Sequence, residues 1–278
     1  MTTSRLGYRI GRWIVIALLI VGGLAMIFPI FWLISTSLRP APELLLVPPK
    51  LLPIHWTIDN YAKALASAPL LLYMWNSTQF AVVSTVFILL TSTVAGYIFA
   101  KFRFPGNNFL FILVLATAIV PFEIYMVPLF LQVNALKLVN TQIGLFLPFL
   151  VLSYGIFFMR QNTKTSVPDE LLDAARIDGM SEWGIMLRLV PRLLAPAISA
   201  LAILAFIQAW TAFIWPLLIL NKPSLFPMEL GLSQFANTRV DFGLTSAAAV
   251  IAMLPTLIAF LILRRRIVEG VTLTGLKG

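Results

Sequence analysis

The chain is 278 residues long, 60% of its residues are hydrophobic and 11% are charged, and its formal net charge is +9. A soluble domain carries roughly 25% charged residues, so this composition excludes a soluble globular protein and favours a protein embedded in a bilayer. In so apolar a chain, an excess of Lys and Arg indicates orientation in a membrane and not nucleic-acid binding.

Cysteine is absent and His55 is the single histidine. This excludes a disulfide framework, a catalytic thiol and a metal site built from thiolates or paired histidines. We expect His55 to be a polar loop residue, and we expect the chain to bind neither a metal nor a cofactor of its own.

Six apolar stretches are each long enough to cross a bilayer as a helix, which takes about 20 residues. They run over about 13–38, 76–100, 108–133, 141–159, 194–220 and 244–263. The first is too long for a signal peptide and is followed by no small-residue cleavage site, so we expect an uncleaved anchor. The predicted fold class is an all-α polytopic membrane protein with about six transmembrane helices.

The loops between these stretches predict the orientation, because Lys and Arg concentrate on the cytoplasmic side of a membrane. With the N-terminus in the cytoplasm, 14 of the 20 basic residues lie inside. These are Arg5, Arg9, Arg12, Lys101, Arg103, Arg160, Lys164, Arg176, Arg188, Arg192, Arg264, Arg265, Arg266 and Lys277. The residues left outside are Arg39, Lys50, Lys63, Lys137, Lys222 and Arg239. We therefore predict that both termini are cytoplasmic.

This reading divides the chain into four parts. Residues 1–38 form the cytoplasmic N-terminus and first helix, and residues 39–75 an extracytoplasmic loop. Residues 76–264 form a core of five transmembrane helices that includes a cytoplasmic loop at 160–193, and residues 265–278 form a cytoplasmic tail. Prolines recur within the spans, where they indicate either kinked helices around a cavity or ordinary irregularity of membrane helices.

The loop between the fourth and fifth spans is unusually polar, with five of the eleven acidic residues of the chain: Asp169, Glu170, Asp173, Asp178 and Glu182. Its pattern predicts two short helices. Ser166 and Asp169 have the spacing of a capping box, with Pro168 in the first turn. Gly179 stands where a left-handed residue would end the first helix, and Ser181 can cap the second.

Leu171, Leu172, Ala174, Ala175 and Ile177 give the first of these helices an apolar face. A small, flat alanine pair suits insertion into a groove of a partner protein. The alternative is an amphipathic helix that lies on the bilayer surface.

The segment Asp173-Ala-Ala-Arg-Ile-Asp-Gly179 resembles the Glu-Ala-Ala-x-x-x-Gly loop of ABC importer permeases, and Ser181, Glu182 and Trp183 resemble its carbohydrate, maltose-type branch. In that family the loop forms a coupling helix that docks on the ATPase subunit. The resemblance implies this role for Asp169, Glu170, Asp173, Ala174, Ala175, Asp178, Gly179 and Trp183. Two residues depart from the family pattern: Asp173 replaces the usual Glu, and Pro191 is displaced by one residue, which affects the exit angle of the second helix.

The resemblance extends over essentially the full chain. It includes the segment 95–106, the segment Pro121-Phe-Glu-Ile-Tyr-Met-Val-Pro128, and a C-terminal tail similar to that of maltose-type permeases and their glycerol-phosphate relatives. It implies a bacterial or archaeal inner membrane and an assembly with a second homologous permease, two ATPase subunits, an extracytoplasmic solute-binding protein and membrane lipid.

Glu123 is the one acidic residue inside a predicted span. Because a charged carboxylate is costly near a helix centre, we expect it to face the bundle interior or a wet cavity. It would either accept hydrogen bonds along the substrate path or have a structural role near Pro121. Gln208, Trp210 and Thr211 are further candidates for the path, since sugar pockets combine aromatic rings with a few polar groups. We expect Trp215 to be an aromatic residue of the membrane interface.

No Gly-x-x-x-x-Gly-Lys-Ser/Thr phosphate loop occurs in the sequence, so ATP and Mg²⁺ are expected on partner subunits and the chain is not itself an enzyme. The resemblance thus implies a permease subunit of an ATP-driven importer, with di- or oligosaccharides as the leading substrates. Three alternatives stay open: an importer of glycerol-phosphate-type substrates, a secondary transporter, and a membrane-embedded enzyme.

Overall fold

The structure is a computed structural model, and it describes residues 3–237 and 241–275, with side chains described over 11–237 and 241–262. The basic residues Arg5, Arg9, Arg239, Arg264, Arg265, Arg266 and Lys277, and the last three residues of the tail, lie outside the described side chains. Over the described residues the chain is helical and has no strand. This confirms the all-α class.

In chain order, the α-helices are α1 (Thr3–Ser37), α2 (Ala41–Leu44), α3 (Asp59–Ser67), α4 (Leu70–Lys101), α5 (Asn107–Ile119), α6 (Phe122–Ala135), α7 (Gln142–Phe146), α8 (Ser153–Ser166), α9 (Asp169–Ile177), α10 (Glu182–Gly184), α11 (Val190–Leu193), α12 (Ala195–Trp210), α13 (Ile214–Ile219), α14 (Met228–Asn237) and α15 (Phe242–Gly275). Short 3-10 helices cover Leu147–Phe149 and Pro223–Leu225, and a π-helical turn, Ile185–Leu189, joins α10 to α11.

Three helices are long and apolar enough to cross a membrane unbroken, namely α1 over Gly11–Ser37, α4, and α15 over Phe242–Ile262. Three further spans are possible if each of three bent helix pairs is one span. The bends are 99° between α5 and α6, 42° between Gln142–Phe149 and α8, and 81° between Glu182–Leu193 and α12. This count of three to six is consistent with the six predicted spans, but three of the six would be bent helix pairs and not single helices.

The predicted third span, 108–133, is wrong as one continuous helix. Val120 is extended (φ −76°, ψ 117°) and Pro121 precedes α6 with φ −57° and ψ 141°. Pro121 has no N–H to donate, and its ring disfavours helical geometry for the residue before it. The helix therefore ends at Ile119, and the chain turns sharply.

The predicted fifth span, 194–220, is also interrupted, because α12 ends at Trp210 and α13 begins at Ile214. Pro216 lies in the first turn of α13, where a missing N–H is tolerated. Had the helix continued from α12, Pro216 would have left the carbonyl of Ala212 without its helical donor.

Contacts divide the described residues into two compact units, one from within 1–70 and 232–253 and the other from within 71–231 and 254–278. In the first unit, the segment after α1 is folded through polar contacts. Asn60 donates to the carbonyls of Ser37 (2.9 Å) and Arg39 (2.7 Å). Glu43 accepts the N–H groups of Ile54 (2.9 Å) and His55 (2.7 Å).

The second unit has its hydrophobic core among α4, α8, α9, α12 and the turn between α10 and α11. The core residues are Ile88, Tyr97, Met159, Val167, Leu172, Ala175, Ile185, Met186, Val190, Leu194, Ala197, Leu201 and Ala205. At Gly96, α4 comes so close to α8 that a Cβ there would lie 2.7 Å from the Cβ of Met159. The loop from 167 to 194 is thus packed into the core and is not a loose connection.

Candidate functional site

A cavity of about 590 Å³ lies in the second unit where three helices are interrupted. Val120 lines it from the break between α5 and α6, Leu152 from the residue before α8, and Ala212 from the gap between α12 and α13. Non-helical backbone at membrane depth is tolerated where it lines a cavity or is covered by protein, and broken helices commonly form the binding sites of transporters. The convergence of three breaks therefore marks this cavity as the candidate substrate site.

The lining combines hydroxyl and amide groups with aromatic rings. Its polar side chains are Thr117, Tyr125, Ser153, Tyr154, Gln208 and Thr211, and its rings include Phe122, Phe149, Phe213 and Trp215. The hydroxyls of Thr117 on α5 and of Ser153, the first residue of α8, lie 2.7 Å apart. Among the described residues that line it, none carries a formal charge at neutral pH, so the cavity suits a neutral ligand rich in hydroxyl groups.

The structure brings two of the four predicted path residues to this cavity. Gln208 and Thr211 line it, and Thr211 Oγ1 donates to the carbonyl of Ile207 at 2.8 Å, which leaves its lone pairs available. Trp210, however, is 2% exposed and stacks on Phe206 at a centroid distance of 5.7 Å, outside the cavity lining.

Of the two surroundings expected for Glu123, the bundle interior and a wet cavity, the bundle interior is wrong for the described residues. Its side chain is exposed, and it is not one of the residues that line the cavity. It lies in the first turn of α6, where a carboxylate favours the positive end of the helix dipole. The break at Pro121 places it at a helix start and not at the centre of a span.

The expectation that Trp215 lies at the membrane interface is wrong. Trp215 is 1% exposed, its indole N–H donates to the carbonyl of Gly144 at 3.2 Å, and its ring meets Phe122 edge-on at 6.1 Å. Its neighbour Pro216 was the available signal in the sequence that Trp215 lies in the first turn of a new helix.

The second candidate site is the polar loop, whose first helix begins one residue after Pro168. The predicted capping box is wrong, because Ser166 is the last residue of α8 and the helix that follows has no side-chain cap. Val167 and Pro168 are extended, as expected for a proline and the residue before it. Asp169 and Glu170 then occupy the first turn of α9, where they favour the helix dipole.

The predicted end of this helix is confirmed. Gly179 has φ +80°, and the N–H groups of Gly179 and Met180 donate to the carbonyls of Arg176 (3.0 Å) and Ala175 (2.9 Å). This pair of bonds is a Schellman motif, which requires a left-handed residue where Gly179 lies. Ser181 caps the second helix by accepting the N–H of Gly184 at 3.2 Å, as predicted.

The two alanines of α9 have different environments. Ala175 is buried with Leu172 in the core of the second unit, whereas Ala174 is exposed. Beside Ala174 lie Leu171, Ile177 and Asp178, all exposed, with Ile177 at 86%. We call these four residues the outer face of α9. Trp183 on α10 is also exposed, at 70%, so the loop presents large apolar side chains that the described part of the chain leaves uncovered.

The loop forms three ion pairs, of which one joins it to α4, one joins α9 to α10 and one lies within α9. Lys101 Nζ lies 2.6 Å from Asp169 Oδ1, which lowers the pKa of Asp169. Arg176 donates to Glu182 (2.6 Å) and to Asp173 (2.7 Å), and the two carboxylates raise the pKa of Arg176. No functional role was predicted for Lys101, Arg176 or Glu182. The spacing of Asp173 and Arg176, three residues apart on a helix, was the available signal for one of these pairs.

The displaced Pro191 follows a π-helical turn in which the N–H of Val190 reaches the carbonyl of Ile185. A proline ring clashes with the carbonyl four residues earlier in an α-helix, and a wider turn before it relieves that clash. The chain then bends by 81° between Glu182–Leu193 and α12. This bend is the exit angle of the second helix of the loop, which could not be predicted from the sequence.

Comparison with known proteins gives a consistent result. The sequence model of the family described as "Binding-protein-dependent transport system inner membrane component" matches residues 92–272. The chain is 37% identical to the arabinooligosaccharides transport system permease protein of Halalkalibacterium halodurans over 91% of each chain. It is 34% identical to the sulfoquinovosyl glycerol transport system permease protein of Agrobacterium fabrum over 96% of this chain and 93% of that one.

The fold is similar to that of a solved chain from a bacterial ABC transporter involved in the import of the acidic polysaccharide alginate. The TM-score is 0.83 at 20% sequence identity, over 92% of this chain and 96% of that chain. At this identity the match supports the fold.

Proposed function

Since this chain belongs to the family of inner membrane components of binding-protein-dependent transport systems, we propose that it forms half of the translocation path of an ATP-driven sugar importer and is driven through the loop that contains α9. The observation that carries the proposal is the presence of two sites in one unit: a cavity at three helix breaks, and a loop that packs into the core and has exposed apolar side chains.

The cavity supports a sugar substrate. Hydroxyl and amide groups that alternate with aromatic rings match the hydroxyl groups and apolar ring faces of a sugar. The relatives named above are permeases for arabinooligosaccharides and for sulfoquinovosyl glycerol, and we propose a di- or oligosaccharide for this chain. An sn-glycerol-3-phosphate permease of Brucella abortus is less similar, at 27% identity, and a phosphorylated substrate would require a cation that the described lining lacks.

A second, homologous permease would supply the other half of the path. The exposure of Glu123 beside the break at Pro121 is consistent with a place on a shared path, where a partner would cover it. Exposed apolar residues on α5, among them Phe109, Ile112 and Leu113, would then face the partner or lipid.

The outer face of α9 and Trp183 would dock on an ATPase subunit. Two such subunits would carry ATP and Mg²⁺, and their closure would move α9 against the core in which Leu172 and Ala175 are anchored. If the loop docks on the ATPase, the loop and both termini lie in the cytoplasm, in agreement with the distribution of Lys and Arg. The segment after α1 would then lie outside the cell, where a solute-binding protein would deliver the sugar.

A co-purified complex in liposomes tests this function. We expect arabinooligosaccharides or another oligosaccharide, presented with the binding protein, to raise ATP hydrolysis and to be taken up. Uptake that an ionophore abolishes while ATP is maintained would instead support a secondary transporter and contradict the proposal.

A further inference from the structure

Arg39, just beyond the end of α1, carries a buried charge that forms no ion pair with any acidic residue whose side chain the structure describes. The residue is 2% exposed, and its guanidinium stacks over Trp32 at 5.0 Å. Its Nη2 donates to Ser35 Oγ (2.8 Å) and to the carbonyl of Lys50 (2.6 Å), both of which are neutral. Arg39 takes part in none of the ion pairs formed among the described residues.

The acidic residue that follows Arg39 in the chain is committed elsewhere. Both carboxylate oxygens of Glu43 accept hydrogen bonds, one from the N–H of Ile54 and the other from the N–H and ring of His55. Burial raises the pKa of Glu43, but these hydrogen bonds outweigh it and hold the pKa below its ordinary value. Glu43 is therefore an anion whose partners are already assigned.

Two polar atoms next to this charge are buried without a hydrogen-bond partner in the described structure: Arg39 Nε and Thr36 Oγ1. Both residues line a cavity of about 290 Å³ within the first unit. The remaining lining residues are Pro29, Trp32, Leu33, Leu44, Pro49, Phe242 and Ser246. A buried cation with no counter-charge among the described residues is unfavourable, and an anion in the cavity would offset its charge.

We infer that this cavity binds the phosphate group of an anionic phospholipid. Arg39 lies two residues past the membrane-spanning segment Gly11–Ser37, at the depth where headgroups meet a spanning helix, and Trp32 is a residue type enriched at that depth. Arginine is well suited to phosphate, because its planar donors match phosphate oxygens.

The apolar part of the lining favours a lipid over a free anion. Six of the nine lining side chains are apolar, and they adjoin the long exposed surface of α1, which includes Phe28, Phe31 and Ile34. A free phosphate would be surrounded by groups that cannot bind it, whereas a phospholipid could place its headgroup beside Arg39 and Thr36 and its acyl chains along α1.

Two threonine variants test this inference. Thr36→Val and Thr85→Val each remove a buried hydroxyl that has no partner in the described structure, but only Thr36 lines the cavity, whereas Thr85 lies on α4. Native mass spectrometry of the full-length chain in detergent would give dissociation constants for phosphatidylglycerol and phosphatidylcholine, with and without excess inorganic phosphate. The thermal midpoint of each variant without added lipid checks that it is folded.

We expect phosphatidylglycerol to bind more tightly than phosphatidylcholine, and Thr36→Val to weaken it about tenfold, the effect of losing a hydrogen bond to a charged group. Thr85→Val should leave the affinity unchanged, and inorganic phosphate should not displace the lipid.

Equal affinity for the two lipids, or equal loss in both variants, would overturn the inference. Binding of inorganic phosphate that depends on Thr36, without preference for the anionic lipid, would assign the cavity to a free anion. That result, or an unchanged affinity for phosphatidylglycerol in Thr36→Val, would overturn the inference.

Discussion

Lys101 Nζ lies 2.6 Å from Asp169 Oδ1, and this ion pair joins the last residue of α4 to the first residue of α9. The same helix α4 contributes Ile88 to the lining of the candidate substrate cavity. At 1.5 Å per residue, Ile88 and Lys101 are about 20 Å apart along an unbroken helix. A displacement of α9 can therefore reach the cavity wall through one rigid element, without a flexible connection between them.

The first prediction concerns the pH dependence of this pair. Lys101 lowers the pKa of Asp169 below its ordinary value of 3.8, so the pair stabilises the fold fully above pH 3.8 and is lost as the pH falls through the lowered pKa. Asp169→Asn should lower the thermal midpoint at neutral pH, and its difference from the wild type should shrink in acid. Glu170→Gln removes an exposed carboxylate from the same turn but no ion pair, so it should lower the thermal midpoint at neutral pH less than Asp169→Asn.

Arg176 is predicted to hold the two helices of the loop together, since it donates to Asp173 on α9 and to Glu182 on α10. Arg176→Gln should reduce sugar uptake per ATP hydrolysed, because α9 would move without carrying α10. Arg188→Gln removes an exposed cation that forms no ion pair among the described residues and serves as the control. Equal coupling ratios in the two variants would show that the bridge has no role in transmission.

Gln208 and Thr211 are predicted to bind the sugar in the cavity. Gln208→Leu and Thr211→Val should each weaken sugar-dependent uptake, with KM raised about threefold to tenfold, the effect of one neutral hydrogen bond. Thr165→Val is the matched control for Thr211→Val, because both hydroxyls donate to the preceding turn of their helix and only Thr211 lines the cavity. A KM raised as much by Thr165→Val would contradict the assignment.

The crossing of α4 and α8 at Gly96 is predicted to tolerate no side chain. A Cβ there would lie 2.7 Å from Met159 Cβ and 2.8 Å from the backbone nitrogen of Arg160, so Gly96→Ala should destabilise the protein by about 1–3 kcal/mol. Gly22→Ala is the control, since nothing lies within 4 Å of a Cβ at that position of α1. Thermal unfolding in detergent would show whether only the first variant is destabilised.

The spans and the loop were predictable from the sequence because they depend on local composition. Hydropathy identifies membrane segments, and Gly179 and Ser181 are residue types whose backbone roles follow from their own chemistry. The helix breaks were not predictable in the same way. Pro121 and Pro216 were visible, but a proline in a membrane helix produces anything from a slight kink to the 99° bend between α5 and α6.

Features that depend on contacts between distant parts of the chain could not be predicted from the sequence either. The burial of Trp215 follows from its contact with Gly144, 71 residues away, and the pairing of Lys101 with Asp169 spans 68 residues. The predicted apolar face of α9 is divided in the structure, with Leu172 and Ala175 in the core and Ala174 exposed, and this division depends on where α9 packs on its neighbours. One sequence without contact information gives the residue types and not these partners.

The role of the loop in coupling is tested most directly by replacement of Gly179 at the end of α9. Any side chain at φ +80° incurs the same backbone strain of about 1–2 kcal/mol, and a Cβ there meets nothing within 4 Å in this chain. Gly179→Ala and Gly179→Trp therefore differ mainly in the bulk they present to a docked partner. In liposomes that contain the complete transporter, we predict that Gly179→Ala retains sugar uptake and that Gly179→Trp abolishes uptake and sugar-stimulated ATP hydrolysis. Wild-type uptake by Gly179→Trp would contradict the claim that this loop receives the motion of the ATPase.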